Sequence, residues 1–160
     1  MHVVFVCATN ICLSPTAASL LGELADQQKL NVTAGSAASL DTYAGKPAHK
    51  LAIKTAAARG IDLSKHTARK IEPADFTESD IVIVFDRSDL RLLMSERPRG
   101  CRTDIRLFSS LIGTDGPSDI AEPTGDDSDR FEASYETIEN GVRDVLAGLR
   151  GRLAAMEVNA

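Results

Sequence analysis

Val3-Val4-Phe5-Val6-Cys7-Ala8-Thr9-Asn10-Ile11-Cys12-Leu13-Ser14-Pro15 is the stretch on which the fold turns. An apolar run stops at Cys7, a short connection follows, and Ser14-Pro15 then opens a helix. Residues 3–6 read as a buried parallel strand, because both faces are apolar instead of alternating. Ser14 suits the N-cap, and Pro15 suits the first helical position, where a missing N–H costs nothing. Cys7 therefore sits where a strand ends and faces the free N–H groups of a helix N-terminus. Such a place binds anions and lowers a thiol pKa.

Working outward, residues 16–28 read as a helix with Ala17, Leu20, Leu21 and Leu24 on one face. Residues 31–34 form a short second strand closed by Gly35-Ser36, and residues 37–45 are small and polar enough for a surface loop. A helix runs from Pro47 to about Arg59 and is ended by Gly60. Residues 72–76 read as a turn or short helix. Residues 80–85 are the clearest buried strand, with Asp86 at its carboxyl end, and a helix over 88–97 and a last strand over 104–108 follow. Residues 114–129 are rich in Gly, Pro, Ser and Asp and predict a long loop, the kind that tends to be functional in a compact domain. Phe131, Tyr135, Ile138, Val142, Val145, Leu149 and Leu153 step by three or four, which predicts an amphipathic terminal helix. Strands alternating with helices imply an α/β domain with a parallel sheet, whose site lies beyond the carboxyl ends of its strands. That places Cys7, the loop after Gly35 and Asp86 on one rim.

The chain has 160 residues, which suits one domain, and its net charge of -5 gives no electrostatic case for binding nucleic acid or an acidic membrane. No apolar run approaches the ~20 residues of a membrane span. The opening is an immediate strand and not a signal-peptide core. Three cysteines, two of them in one loop, are no secreted disulfide framework, so a reducing cytoplasm is the expected compartment. His49 and His66 have no partner pattern for a metal or a triad and read as surface or packing residues. With no metal-ligand cluster and no Gly-rich nucleotide motif, no metal and no cofactor are expected.

A thiolate beside an anion cradle is what a cysteine-based phosphate-transfer enzyme needs. At these residues the chain resembles the low-molecular-weight protein tyrosine phosphatases, whose phosphate loop runs Cys, five residues, Arg, Ser/Thr, usually then Pro. Cys7, Asn10, Ile11, Cys12, Ser14 and Pro15 fall on that pattern. Leu13 stands in the place of the arginine that clamps the phosphoryl oxygens, and Thr9 where glycine is common. Thr33-Ala34-Gly35-Ser36 and residues 61–69 are also similar to the family, and the likeness spans residues 1–155 as a single domain. It implies a three-layer sandwich with a central four-stranded parallel sheet and helices on both faces.

The resemblance also implies the roles. Cys7 falls at the nucleophile, with Ser14 as its hydroxyl partner, while Ala8, Thr9, Asn10, Ile11, Cys12 and Leu13 form the phosphate-binding loop and Asn10 braces it. Helix-terminus N–H groups and the Ser14 hydroxyl are expected to favour the thiolate. Glu122, in Glu122-Pro123-Thr124, falls at the general acid, one methylene longer than the family's aspartate, with Asp119 an alternative. Tyr43 and Thr124 are candidates for the substrate wall, Thr124 replacing an aromatic. Cys12 is either a redox partner of Cys7 or a packed thiol. Phosphoryl-transfer arginines are worth about 10³–10⁵ in rate, so the loss of one at position 13 implies impaired hydrolysis. Arg87 and Arg91, just past Asp86, read as a solvated helix face, with rescue of the clamp the lesser alternative. The expected partner is a phosphorylated protein or a small phosphomonoester. The competing readings are a non-catalytic pseudophosphatase that binds an oxyanion or a partner, and a thiol redox protein built on Cys7 and Cys12.

Overall fold

Four parallel strands form the middle layer of the structure, a computed structural model describing residues 1–113 and 118–158. They are β1 (His2–Cys7), β2 (Thr33–Ala38), β3 (Ile81–Val84) and β4 (Asp104–Leu107), in the spatial order β2-β1-β3-β4. Val3 to Val6 are all 0% exposed, as a strand apolar on both faces requires. Side chains alternate across the sheet. Val3, Phe5, Ile81 and Ile83 therefore join one core, while Val4, Val6, Val82 and Val84 join the other.

The first core packs against α1 (Leu13–Gln27), α2 (Lys50–Ala57) and α5 (Ser128–Val158). The second packs against α3 (Pro73–Glu78) and α4 (Arg87–Glu96), through Phe76 and Leu93. The three-layer α/β sandwich read from the sequence is thus the fold observed. Gly141 on α5 lets that helix pass close to the turn after β4, since a Cβ there would lie 2.4 Å from the Phe108 ring.

Several boundaries differ from expectation. β2 runs through Gly35-Ser36 instead of stopping before them, because the chain keeps its parallel register with β1 as far as Cys7↔Ala38. Residues 37 and 38, expected in a surface loop, are therefore buried strand. α2 is shorter than predicted and begins after His49, whose ring accepts the Leu51 N–H and stacks on Phe131 at 4.6 Å. α1 begins at Leu13, with Cys12 as its N-cap, because the Cys12 carbonyl already accepts the Thr16 N–H and hydroxyl. Ser14 is therefore not the N-cap. Pro15 falls at the third helical position, where an N–H also has no intrahelical acceptor. Of the loop predicted over 114–129, residues 114–117 lie outside the described residues.

Strand order fixes where a ligand can sit. From β1 the chain goes to β2 on one side and then to β3 on the other, so the crevice opens at the carboxyl ends of β1 and β3. Cys7 ends β1, and Asp86 follows β3 as the N-cap of α4, accepting the Asp89 N–H. Residues 119–122 return to this rim, where the Ile120 N–H donates to the Phe85 carbonyl.

Candidate active site

The loop from Cys7 to Leu13 is held by its carbonyls. Those of Cys7 and Ala8 accept from the Ser39 and Leu40 N–H groups, that of Ile11 from His49 N–H, and that of Cys12 from Thr16. The Asn10 carbonyl meets the His66 ring Nε2 at 2.7 Å. In a trans peptide the C=O and the next N–H point opposite ways. The N–H groups of Ala8, Thr9, Ile11, Cys12 and Leu13 are thereby turned to the other side of their peptide planes.

Asn10 makes the bend possible. Its φ of 57° is left-handed, a region asparagine tolerates. Its side chain is fully buried and donates to Ser14 Oγ and Ser36 Oγ, each at 2.9 Å, and accepts the Arg69 N–H at 3.1 Å. Ser14 turns its hydroxyl inward to the Ala37 carbonyl and to Cys7 Sγ, 3.1 Å away, instead of capping the helix.

Around Cys7 Sγ stand the Ser14 hydroxyl, the Asn10 N–H at 3.3 Å and Glu122 Oε1 at 3.6 Å. Thr9 Oγ1 donates to the same Glu122 oxygen at 2.6 Å. The thiol is 2% exposed. Burial first, and the Glu122 charge second, push its pKa up to about 11, while Ser14 and Asn10 only partly offset them. Ser14 and the Asn10 N–H do favour the thiolate, as expected, but the expectation left out desolvation of the charge, which outweighs them here. Cys12 is also buried and its thiol is raised, by burial, by Glu122 and by Cys7; both cysteines are free.

Glu122 itself is raised from the ordinary carboxyl value by burial and by nearby Asp86, against its bonds to Thr9 and Cys7. Asp119, the alternative acid, is instead gripped by Arg87, through the backbone N–H at 3.0 Å and the guanidinium at 3.0 and 3.3 Å. That pairing lowers the Asp119 pKa and occupies the Arg87 guanidinium. Leu13 is 2% exposed and packs into the α1–α5 core, where it lines a small crevice with Phe131, Tyr135 and Ile138.

The remaining candidates lie at the rim. Ala8, Thr9 and Ile11 are half-buried, while Tyr43 and Thr124 are exposed, with no hydrogen bond to Cys7 or Glu122. The loop that carries Tyr43 is tied to the site through the Leu40–Ala8 bond. Three participants escaped the sequence reading. His66 braces Asn10 and is not a mere surface group, and its ring is depressed by burial. Ser36 holds Asn10, and Ser39 bonds Asp89, a buried carboxyl with one oxygen unpartnered. These are single polar residues meeting across long sequence separations, which periodicity does not register. Among the described residues no group of three or more His, Cys, Asp or Glu is placed to hold a metal ion.

The model of the low molecular weight phosphotyrosine protein phosphatase family matches residues 2–155. The chain belongs to that family. It is 33% identical over 156 residues to a low molecular weight phosphotyrosine protein phosphatase of Sus scrofa, covering 92% of this chain and 95% of that one. It is 30% identical over 140 residues to the probable low molecular weight protein-tyrosine-phosphatase EpsP of Ralstonia nicotianae, covering 88% and 90%. Among solved structures, a low molecular weight phosphotyrosine phosphatase from Vibrio cholerae O395 superposes with a TM-score of 0.86 at 24% identity, covering 95% of this chain and 98% of that one. A protein tyrosine phosphatase from Entamoeba histolytica with Hepes in its active site gives 0.86 at 20% identity, covering 94% and 97%. The family acts on phosphorylated proteins or phosphomonoesters. Among its described residues no helix is long and apolar enough to cross a membrane.

Proposed function

We propose that this family member hydrolyses phosphomonoesters at low turnover, through a cysteinyl-phosphate on Cys7, with residues 1–155 working as one domain and without a cofactor. The observation that carries the reading is the contact of Cys7 Sγ with Glu122 Oε1, beside a loop whose carbonyls are bonded on the other side of their peptide planes, an arrangement that leaves N–H groups free for an oxyanion. In the first step the thiol proton passes to the Glu122 carboxylate and the sulfur attacks phosphorus. The bond from phosphorus to the leaving oxygen breaks, and that oxygen takes the proton from Glu122. In the second step water attacks the phosphocysteine, Glu122 accepts the water's proton and returns it to sulfur, and phosphate leaves. Ser14 and the Asn10 N–H stabilise the thiolate in both steps. Tyr43 and Thr124 border the entrance for the organic group.

Two features make it slow. A thiol at about 11 is ionised in only about one molecule in 10⁴ at pH 7. Leu13 lies in the core and Arg87 is bound to Asp119, so no guanidinium serves the phosphoryl oxygens from either position. The same features favour the second reading, a pseudophosphatase that binds an oxyanion or a phosphorylated partner without turnover. In either case the free cysteines suit a reducing cytoplasm.

Aryl phosphate turnover by wild type, Cys7→Ser and Leu13→Arg separates them. The enzyme reading expects a slow rate in wild type, none in Cys7→Ser, and a gain of about 10-fold or more in Leu13→Arg, the low end of what such arginines supply. Turnover that survives Cys7→Ser would sink the cysteinyl-phosphate mechanism. No turnover in wild type, together with phosphate-induced shifts of the amides of residues 8–14, would establish the binding module.

A further inference from the structure

Glu122 reaches the thiol on a side chain that has to be held. Its loop docks through the backbone at Ile120, and its carboxylate makes two hydrogen bonds, one from the Cys7 thiol and one from the Thr9 hydroxyl. The sulfur contact, at 3.6 Å, is weak. The Thr9 contact, at 2.6 Å, is short and charge-assisted, the stronger class of hydrogen bond. Thr9 stands on the phosphate loop itself, half-buried, so its hydroxyl ties the acid loop directly to the nucleophile loop.

We propose that Thr9 is a positioning residue that holds the Glu122 carboxyl against Cys7. The inference rests on the enzyme reading for its effect on turnover. The chemistry follows from which oxygen is occupied. Thr9 and Cys7 both donate to Oε1. The proton that Cys7 gives up is therefore received on Oε1, the oxygen that Thr9 fixes in place, and passes from there to the leaving oxygen. The same contact has an opposite effect on the free thiol, because it keeps a carboxylate charge beside the sulfur and helps to shut it from solvent. Thr9 thus supports turnover and suppresses the reactivity of Cys7 toward external reagents. A residue that merely shaped the loop would alter labelling whether or not Glu122 is present.

The test compares wild type with Thr9→Val, which keeps the volume and removes the hydroxyl, and with Thr9→Ser, which keeps the hydroxyl. Cys7 is alkylated with iodoacetamide across a range of pH, with peptide mapping to separate it from Cys12 and Cys101. Thr9→Val is expected to label Cys7 about five to tenfold faster at pH 8, with its labelling midpoint moved toward lower pH. Phenyl phosphate turnover is expected to fall about tenfold or more in that variant, as when a general acid is misplaced. An ester with a nitrophenol leaving group, which needs less protonation, should fall less. Thr9→Ser should return both measurements toward wild type. In a Glu122→Ala background, Thr9→Val should have no further effect on labelling.

Labelling of Thr9→Val at the wild-type rate overturns the proposal, and so does an increase that persists in the Glu122→Ala background. If wild type turns over no ester, the enzyme reading fails, while the labelling comparison still decides the role of Thr9. Thr9→Ala, a different change of volume with the same loss of the hydroxyl, gives the same labelling result if Thr9→Val fails to fold.

Discussion

Cys7 and Leu13 bound the same loop, and each is 2% exposed, yet they are buried by different surroundings. Cys7 is enclosed by hydrogen-bonding groups: a serine hydroxyl, a backbone N–H and a carboxylate held by a threonine. Leu13 is enclosed by hydrocarbon from α1 and α5. One short connection is therefore half candidate site and half core. The two ends of one connection thus answer to different surroundings, one polar and one apolar. Leu13 gains by joining Phe131, Tyr135 and Ile138, and the backbone between Cys7 and Ser14 accommodates it.

Truncating Leu13 is the strongest way to break the comparison. Leu13→Ala removes a fully buried side chain beside an existing crevice, so it is expected to cost about 2–5 kcal/mol in urea unfolding. The pH midpoint for Cys7 alkylation should stay where it is, because none of the groups that set it has been touched. A cost below about 1 kcal/mol, or a moved midpoint, would mean that Leu13 belongs to the site after all. Leu13→Arg should carry a similar loss of stability while it raises turnover, since a guanidinium that enters the cradle vacates the same core volume.

The frame was legible in the sequence and the electrostatics were not. The apolar run of residues 3–6, the IVIV of β3 and the terminal helix pattern each sit in strands or helices whose burial follows from periodicity. The approach of Glu122 to Cys7, across a loop of mixed composition, came from resemblance and has no signal in periodicity. What failed was local. Ser14 has the right chemistry for an N-cap, but Cys12 already supplies the carbonyl that starts α1, and the serine hydroxyl is worth more inside. The thiolate expectation counted donors near Cys7 and omitted how deeply the sheet buries it, which only the packed structure reveals. His66 and Ser36 act on Asn10 from distant parts of the chain, so no spacing rule reaches them.

Asn10 links the two halves of the loop and offers the next test. Asn10→Ala strips partners from Ser14, Ser36 and the Arg69 N–H, and places alanine at a φ of 57°. Leaving buried donors and acceptors unpaired, with added backbone strain, should cost about 3 kcal/mol in all. In contrast to Leu13→Ala, this loss should also change Cys7 alkylation, because the N–H at 3.3 Å and the serine it orients both face the sulfur. If the midpoint for alkylation does not move, the brace acts on stability alone.

The smallest expected effect concerns Asp89, on the hydrogen-bonded side of the comparison. Its carboxyl accepts from Ser39, whose N–H in turn holds the Cys7 carbonyl, while its other oxygen has no partner. Burial, followed by the charges of Asp86 and Glu122, raises its pKa from 3.8 to about 6, and the Ser39 bond only partly opposes this. Between those two values the folded protein holds a proton that the unfolded chain has released. Stability contributed by this group is therefore complete below about pH 4 and is lost as pH rises through about 6. Since Asp86 and Glu122 are half-exposed and their charges are screened, the loss should be about 1 kcal/mol, less than the full shift implies. Asp89→Asn keeps the volume and an acceptor for Ser39 but cannot ionise. Urea unfolding of both proteins from pH 4 to pH 7 isolates the group, because other titrations cancel in the difference. Wild type should lose stability relative to Asp89→Asn across that range. A difference that stays flat would mean that Asp89 ionises as an ordinary surface carboxylate and that this side of the loop is wetter than its hydrogen bonds suggest.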